Sequence, residues 1–241
     1  MSGQSELSWL ELLTEPLTSA VRLIKGLKAE RHALQQLKER HLALVRRFFR
    51  STEFLMSAVP REPGGKASII EQWKIAFYRH EMNSLPGKIG VWSKAIDQSK
   101  FSGNTPQQVQ RLVTALQGLK YRIEYLLETR ETGQSGSLVQ EIKPSAHSWL
   151  ESIESIFVKW SDNPGSVPAV DLEQGLAARL GELEQRIDAT IAQLDSKAIS
   201  AADGENFYRL LGAYRGVSEA TVAYAGNAAS IDWAEWGEEK F

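Results

Sequence analysis

The chain has 241 residues, 42% hydrophobic and 24% charged, with 28 Lys and Arg against 30 Asp and Glu for a net charge of -2. These proportions are ordinary for a globular protein with enough apolar material for a core, and the near-neutral balance argues against a general polyanion binder. The absence of cysteine excludes disulfides and thiolate metal sites. No apolar run approaches the roughly 18 to 20 residues that cross a bilayer, and Glu6, Glu11 and Glu15 do not fit a cleaved secretory signal.

Proline and glycine divide the chain into helical blocks. Thr14-Glu15-Pro16 suits a helix start with proline at the first helical position. From there to Val59 the spacing predicts one helix or two stacked ones, up to about 65 Å long. Leu23, Leu27, Leu34, Leu37, Leu44, Phe48 and Leu55 mark its buried stripe. Pro60 to Gly65 reads as a loop. A helix from about Lys66 to Asn83 places Ile69, Trp73, Ala76, Phe77 and His80 on one face, and Leu85-Pro86-Gly87 is expected to break or kink it before Val91, Trp92 and Ile96.

Thr105, Pro106 and Gln108 form a capping-box pattern. Val109, Leu112, Val113, Leu116, Leu119, Ile123 and Leu126 then continue at helical period to about Arg130. After a loop at Gly133 to Gly136, a helix holds Trp149, Ile153, Ile156, Phe157 and Trp160, with Lys143-Pro144 a kink point near its start. Asn163 to Pro168 divides the chain into a basic N-terminal helical subdomain (1–163) and an acidic C-terminal helical hairpin (164–241), packed as one unit. Asp171 with Gln174 opens a helix to about Leu194, and a last helix runs from about Ala202 to Ile231. No segment alternates as a strand does, so the expected fold is all-α, an elongated bundle of long antiparallel helices.

Charge is distributed unevenly. Residues 22–50 hold nine bases and two acids, a balance of +7, whereas 171–241 hold thirteen acids and six bases, a balance of -7. The two blocks could pack on each other, within one chain or between copies as a homo-oligomer. Alternatively Arg46, Arg47 and Arg50, interleaved with Phe48 and Phe49, meet an anionic lipid surface or a membrane partner. Nucleic acid is disfavoured because no recognised binding motif accompanies the patch.

Candidates for chemistry are few. His80-Glu81 lacks the second histidine of a zinc-protease helix, His32 and His41 are nine residues apart, and Glu151 with Glu154 has no second Glu-x-x-His helix. Phosphate loops and nucleophile elbows are absent. The expectation is a non-enzyme with no cofactor and no metal. Gly212, Gly216 and Ala220 form a row of small residues suited to close helix packing, and Trp233, Trp236 and Phe241 are candidate anchors in the tail.

Two stretches resemble a known family. Phe101-Ser102-Gly103-Asn104-Thr105-Pro106, Leu112 to Gln117, Tyr121-Arg122 and Leu126-Leu127 are similar to the helical region outside the membrane in bacterial fusaric-acid-resistance-type (FUSC) inner-membrane transporters. Tyr208 to Gly212, Tyr214-Arg215-Gly216, Ser218-Glu219 and Ile231-Asp232-Trp233 with Trp236 and Phe241 resemble the way such chains end, and Arg46 to Arg50 resembles the basic segment after their membrane block. The resemblance covers about a third of the chain. It implies a non-catalytic cytoplasmic module of an exporter of aromatic acids or related hydrophobic anions, acting in assembly or gating at the inner face of the bacterial inner membrane. Its partner would be an integral membrane transporter subunit or a fused membrane domain. Family members carry transmembrane helices and this chain has none, so no transport-site residue carries over. A stand-alone helical adaptor that binds a peptide or partner helix is the alternative.

Overall fold

The structure is a computed structural model that describes residues 6–58, 68–95, 103–132, 137–166, 169–193 and 200–237. The loops expected at Pro60 to Gly65 and Gly133 to Gly136, and Phe241 in the tail, lie outside the described residues. Seven helices follow one another among those described: α1 (Glu6–Ala58), α2 (Ile69–Ala95), α3 (Pro106–Thr132), α4 (Ser137–Asp162), α5 (Ala169–Gln193), α6 (Ala201–Ala228) and the single turn α7 (Ala234–Gly237). The described residues contain no strand, and the fold class is all-α.

Helix α1 spans 53 residues, about 80 Å of rise. It continues through Pro16, which therefore lies inside the helix rather than at its first position. Helix α2 likewise runs unbroken through Pro86. Pro86 is itself buried beside Leu85 and Ile89 of the core, while Gly87 and Lys88 face out, and this packing on one side keeps the helix continuous where a lone proline would break it.

Local signals set the helix starts. Thr105 N–H donates to Gln108 Oε1 at 2.7 Å, and Gln108 N–H donates back to Thr105 Oγ1 at 3.3 Å, forming the expected capping box. Ser68 and Glu71 form a second reciprocal box ahead of α2. Ser200 caps α6 by accepting from Asp203 N–H at 3.1 Å.

Paired contacts fix the directions. Arg47 meets Glu81 and Arg40 lies over Trp92, so α1 and α2 run antiparallel. Gln108 bonds to Ser230 while Gly216 faces Arg122, so α3 and α6, the most extensively packed pair, are antiparallel too. One continuous apolar cluster draws on every helix on both sides of Asn163. Its centre is aromatic: the Phe49, Trp160 and Tyr224 rings lie 4.6 to 5.0 Å apart. Buried polar tips find partners there, Trp149 Nε1 donating to Ser218 Oγ at 2.9 Å and the Tyr224 hydroxyl to the Pro164 carbonyl at 3.2 Å.

The C-terminal segment closes the bundle. Asn104 Nδ2 donates to Glu235 Oε2 at 2.8 Å and to the Asp232 carbonyl at 3.1 Å, while its Oδ1 accepts from Asp232 N–H at 2.8 Å. Gln108 extends this latch, donating to the Ser230 carbonyl at 2.7 Å. Trp236 then stacks on His41 of α1, ring centroids 4.3 Å apart, and Trp233 covers Gly165 so closely that a Cβ there would lie 2.4 Å from the indole.

His41 is fully buried and neither ring nitrogen has a hydrogen-bond partner, so desolvation lowers its pKa from 6.5 to about 4. The folded protein keeps this imidazole neutral while the unfolded chain protonates it. Stability should therefore fall as pH drops from 6.5 towards 4, by on the order of 3 kcal/mol. Denaturant unfolding across this range should show the loss in the native chain. His41→Phe, which keeps a ring against Trp236, should be at least as stable at neutral pH and lack the step. Asn104→Ala should cost about 2 to 3 kcal/mol by leaving the buried Glu235 carboxylate and the Asp232 backbone without their carboxamide partner, read from the same unfolding curves.

Candidate functional site

The three arginines singled out by sequence are all exposed on α1. Together with Phe77, Tyr78 and Glu81 of α2 they line a cleft of about 390 Å³. Arg47 is committed within it: Nε donates to Glu81 Oε2 at 2.7 Å and Nη2 to Oε1, a two-pronged pair. Glu81 is 7% exposed, so the pair anchors the cleft floor. Arg50 lies near Glu53, whose carboxyl is raised by burial against the opposing pull of that guanidinium. Arg46 enters no ion pair among the described residues.

The helix face beside this cleft is unexpected. Ile70, Trp73 and Phe77 repeat at steps of three and four and so share one face of α2, yet they are 69%, 73% and 52% exposed, with Ile69 at 74%. The face that sequence periodicity marks as apolar points to water. The residues of α2 that enter the core are instead Met82, Leu85 and Ile89, on its second half. On α1 the same split occurs. Every residue from Arg22 to Ala33 is exposed, including Leu23, Ile24 and Leu27, while Leu34, Leu37 and Leu44 are half-buried. The core begins farther on, at Leu42, Val45, Phe48, Phe49, Leu55 and Met56.

Other clusters serve the scaffold. Buried Arg130 donates to the Met56 carbonyl at 3.3 Å, and burial lowers its pKa against the opposing effects of Tyr214 and Glu154. Burial raises the Glu154 pKa, which Arg130 opposes and Glu53 reinforces. A shallow groove of about 450 Å³ between α4 and α5 is lined by Ser148, Glu151, Lys159, Asp171 and Arg179. Among the described residues no group of three His, Asp or Glu is placed to hold a metal ion, and no helix is long and apolar enough to cross a membrane. His32 bonds Gln36 at 3.1 Å, His147 meets Glu151 at 3.3 Å and His80 is exposed.

The row of small residues on α6 divides. Gly216 is buried, and a Cβ there would come 3.2 Å from Arg122 Cδ; Gly212 is exposed with open space around it, and Ala220 is half-buried. The close approach thus runs through Gly216 alone, against a side-chain stem rather than a helix backbone. Trp236 is buried and Trp233 half-buried, its Nε1 donating to the Ala228 carbonyl at 2.9 Å, so both serve the latch. Sequence reading considered Glu81 only beside His80 and missed its pairing with Arg47, because an ion pair 34 residues apart leaves no local periodic signal.

Gly216→Leu should destabilise by about 1 to 2 kcal/mol through crowding of Arg122, whereas Gly212→Ala should stabilise by about 0.5 to 1 kcal/mol as a better helix former in open space, both read from thermal unfolding. No protein-family model matches this chain, and neither does any curated protein or solved structure.

Proposed function

We propose that this chain is a non-catalytic helical module that works beside a membrane-embedded exporter of aromatic acids or related hydrophobic anions. It acts in assembly or gating at the cytoplasmic face of the bacterial inner membrane. The observation that carries this reading is the stretch of α1 from Arg22 to Ala33. From Arg22 to Ala33 the helix is exposed on every side, with Leu23, Ile24 and Leu27 set among Arg22, Lys25, Lys28 and Arg31. A single helix gains most of its stability from packing, and exposed leucines grouped with cations suit a partner surface beside an anionic membrane. The exporter partner rests on the FUSC resemblance. In its support, two of the segments that carry that resemblance meet where Asn104 bonds to the Asp232 backbone.

Affinity purification of the chain from its native cell in mild detergent, followed by mass spectrometry, tests the reading. A membrane protein with several apolar spans should come with it, and Leu23→Asp with Leu27→Asp should abolish that recovery without moving the melting temperature. Recovery of a soluble partner alone would replace the exporter module with a helical adaptor that uses the same arm.

A further inference from the structure

A second surface, separate from the α1 arm, carries chemistry of its own. On α1, Ala43, Arg46 and Arg50 succeed one another at steps of three and four and so form a stripe along one side of the helix. Its C-terminal end opens into the cleft with Phe77. Phe77 continues into Trp73 and Ile70, with the exposed Lys74 beside them. A ridge of two aromatic rings and an isoleucine, more than half exposed throughout, therefore runs out from the cleft that Arg46 and Arg50 line.

The acids in this neighbourhood are already engaged. Glu81 holds Arg47, and Glu71 caps α2 through Ser68. Glu53 lies near Arg50, whose charge acts on its carboxyl. The surface left to a ligand is cationic and aromatic. An acidic protein partner would satisfy the charge but would not account for a protruding tryptophan and isoleucine flanked by cations. A bilayer interface satisfies both, because tryptophan favours the headgroup level while arginine and lysine meet phosphate.

We propose that the α1–α2 face bearing Arg46, Arg50, Lys74 and the Ile70, Trp73, Phe77 ridge docks on anionic phospholipid, with Arg46 and Arg50 at lipid phosphates and Trp73 and Phe77 at the headgroup–acyl boundary. This shares a membrane location with the proposed function and otherwise stands on different residues. Its test needs no transporter.

Flotation with vesicles compares pure phosphatidylcholine with a mixture containing roughly one-third phosphatidylglycerol. The full chain should float only with the anionic vesicles, and the bound fraction should fall steeply between about 0.1 and about 0.5 M salt. Arg46→Glu with Arg50→Gln, and separately Trp73→Ser with Phe77→Ser, should each weaken binding by about tenfold or more. All four positions are exposed, so melting curves should not shift. As an independent reading, brominated acyl chains should quench tryptophan fluorescence of the native chain and quench Trp73→Phe much less. Equal binding to both vesicle types, no binding to either, double variants that bind like the native chain, or quenching indifferent to Trp73 would each overturn the proposal. Co-purification of a membrane protein without vesicle binding would remove this surface and leave the module standing; vesicle binding without such a partner would do the reverse.

Discussion

The bundle depends on one buried carboxamide. Asn104, 4% exposed, uses both ends of its side chain on the C-terminal segment, donating to Glu235 and the Asp232 carbonyl and accepting from the Asp232 amide. An asparagine suits this position because it offers donor and acceptor on one short planar group. The three bonds hold the start of α3 against the end of α6, whose antiparallel packing is the largest helix interface in the molecule. They also aim Trp236 at His41, so α1 is gripped by a residue nearly two hundred positions away in sequence. Buried polar networks of this kind specify one arrangement among several that an apolar core would accept.

The latch also explains which part of α1 can be core. Helix α1 packs on α2, α4 and α7, and its buried residues begin around Lys38 and His41, level with Trp236. Ahead of that point Leu34 and Leu37 are only half-buried, and from Arg22 to Ala33 no described neighbour covers Leu23, Ile24 or Leu27. Helix α2 follows the same logic. Its second half lies between α1 and α3, through Arg47 with Glu81 on one side and Asn83 with Glu124 on the other. Its first half has apolar residues on a face that no other described helix covers.

Helix existence was legible because 3.6-residue periodicity and capping residues are local, and the Thr105 and Gln108 box formed as its spacing implies. Direction of burial was not legible. Periodicity shows that Ile69, Trp73 and Phe77 share a face, but whether the face meets core or water depends on neighbours far along the chain. The same limit applies to prolines: Pro16 and Pro86 carry strong breaker signals, yet both lie inside continuous helices. At Pro86, burial of the proline with Leu85 and Ile89 outweighs the loss of one backbone donor. At the candidate cleft, the arginines stood out by charge alone, whereas the partner that pins one of them and the aromatic wall beside them depend on the register between α1 and α2.

Charge asymmetry gives the exposed surfaces a common direction. The acidic helices α5 and α6 pack on each other, on α4 and on α3, while α2 packs on α1 and α3, so the acidic block does not cover the cationic arm or the aromatic ridge. Screening at physiological salt confines each charge to a reach of about 8 Å. Cations on the α1–α2 side therefore act on whatever lies against them, and the distant acids of α5 contribute little opposing field there. An anionic surface that approached the acidic side would be repelled, and one that approached the arginines would be attracted and find apolar side chains within reach. Orientation then follows from where the charges sit along the fold, with no single ion pair required to set it.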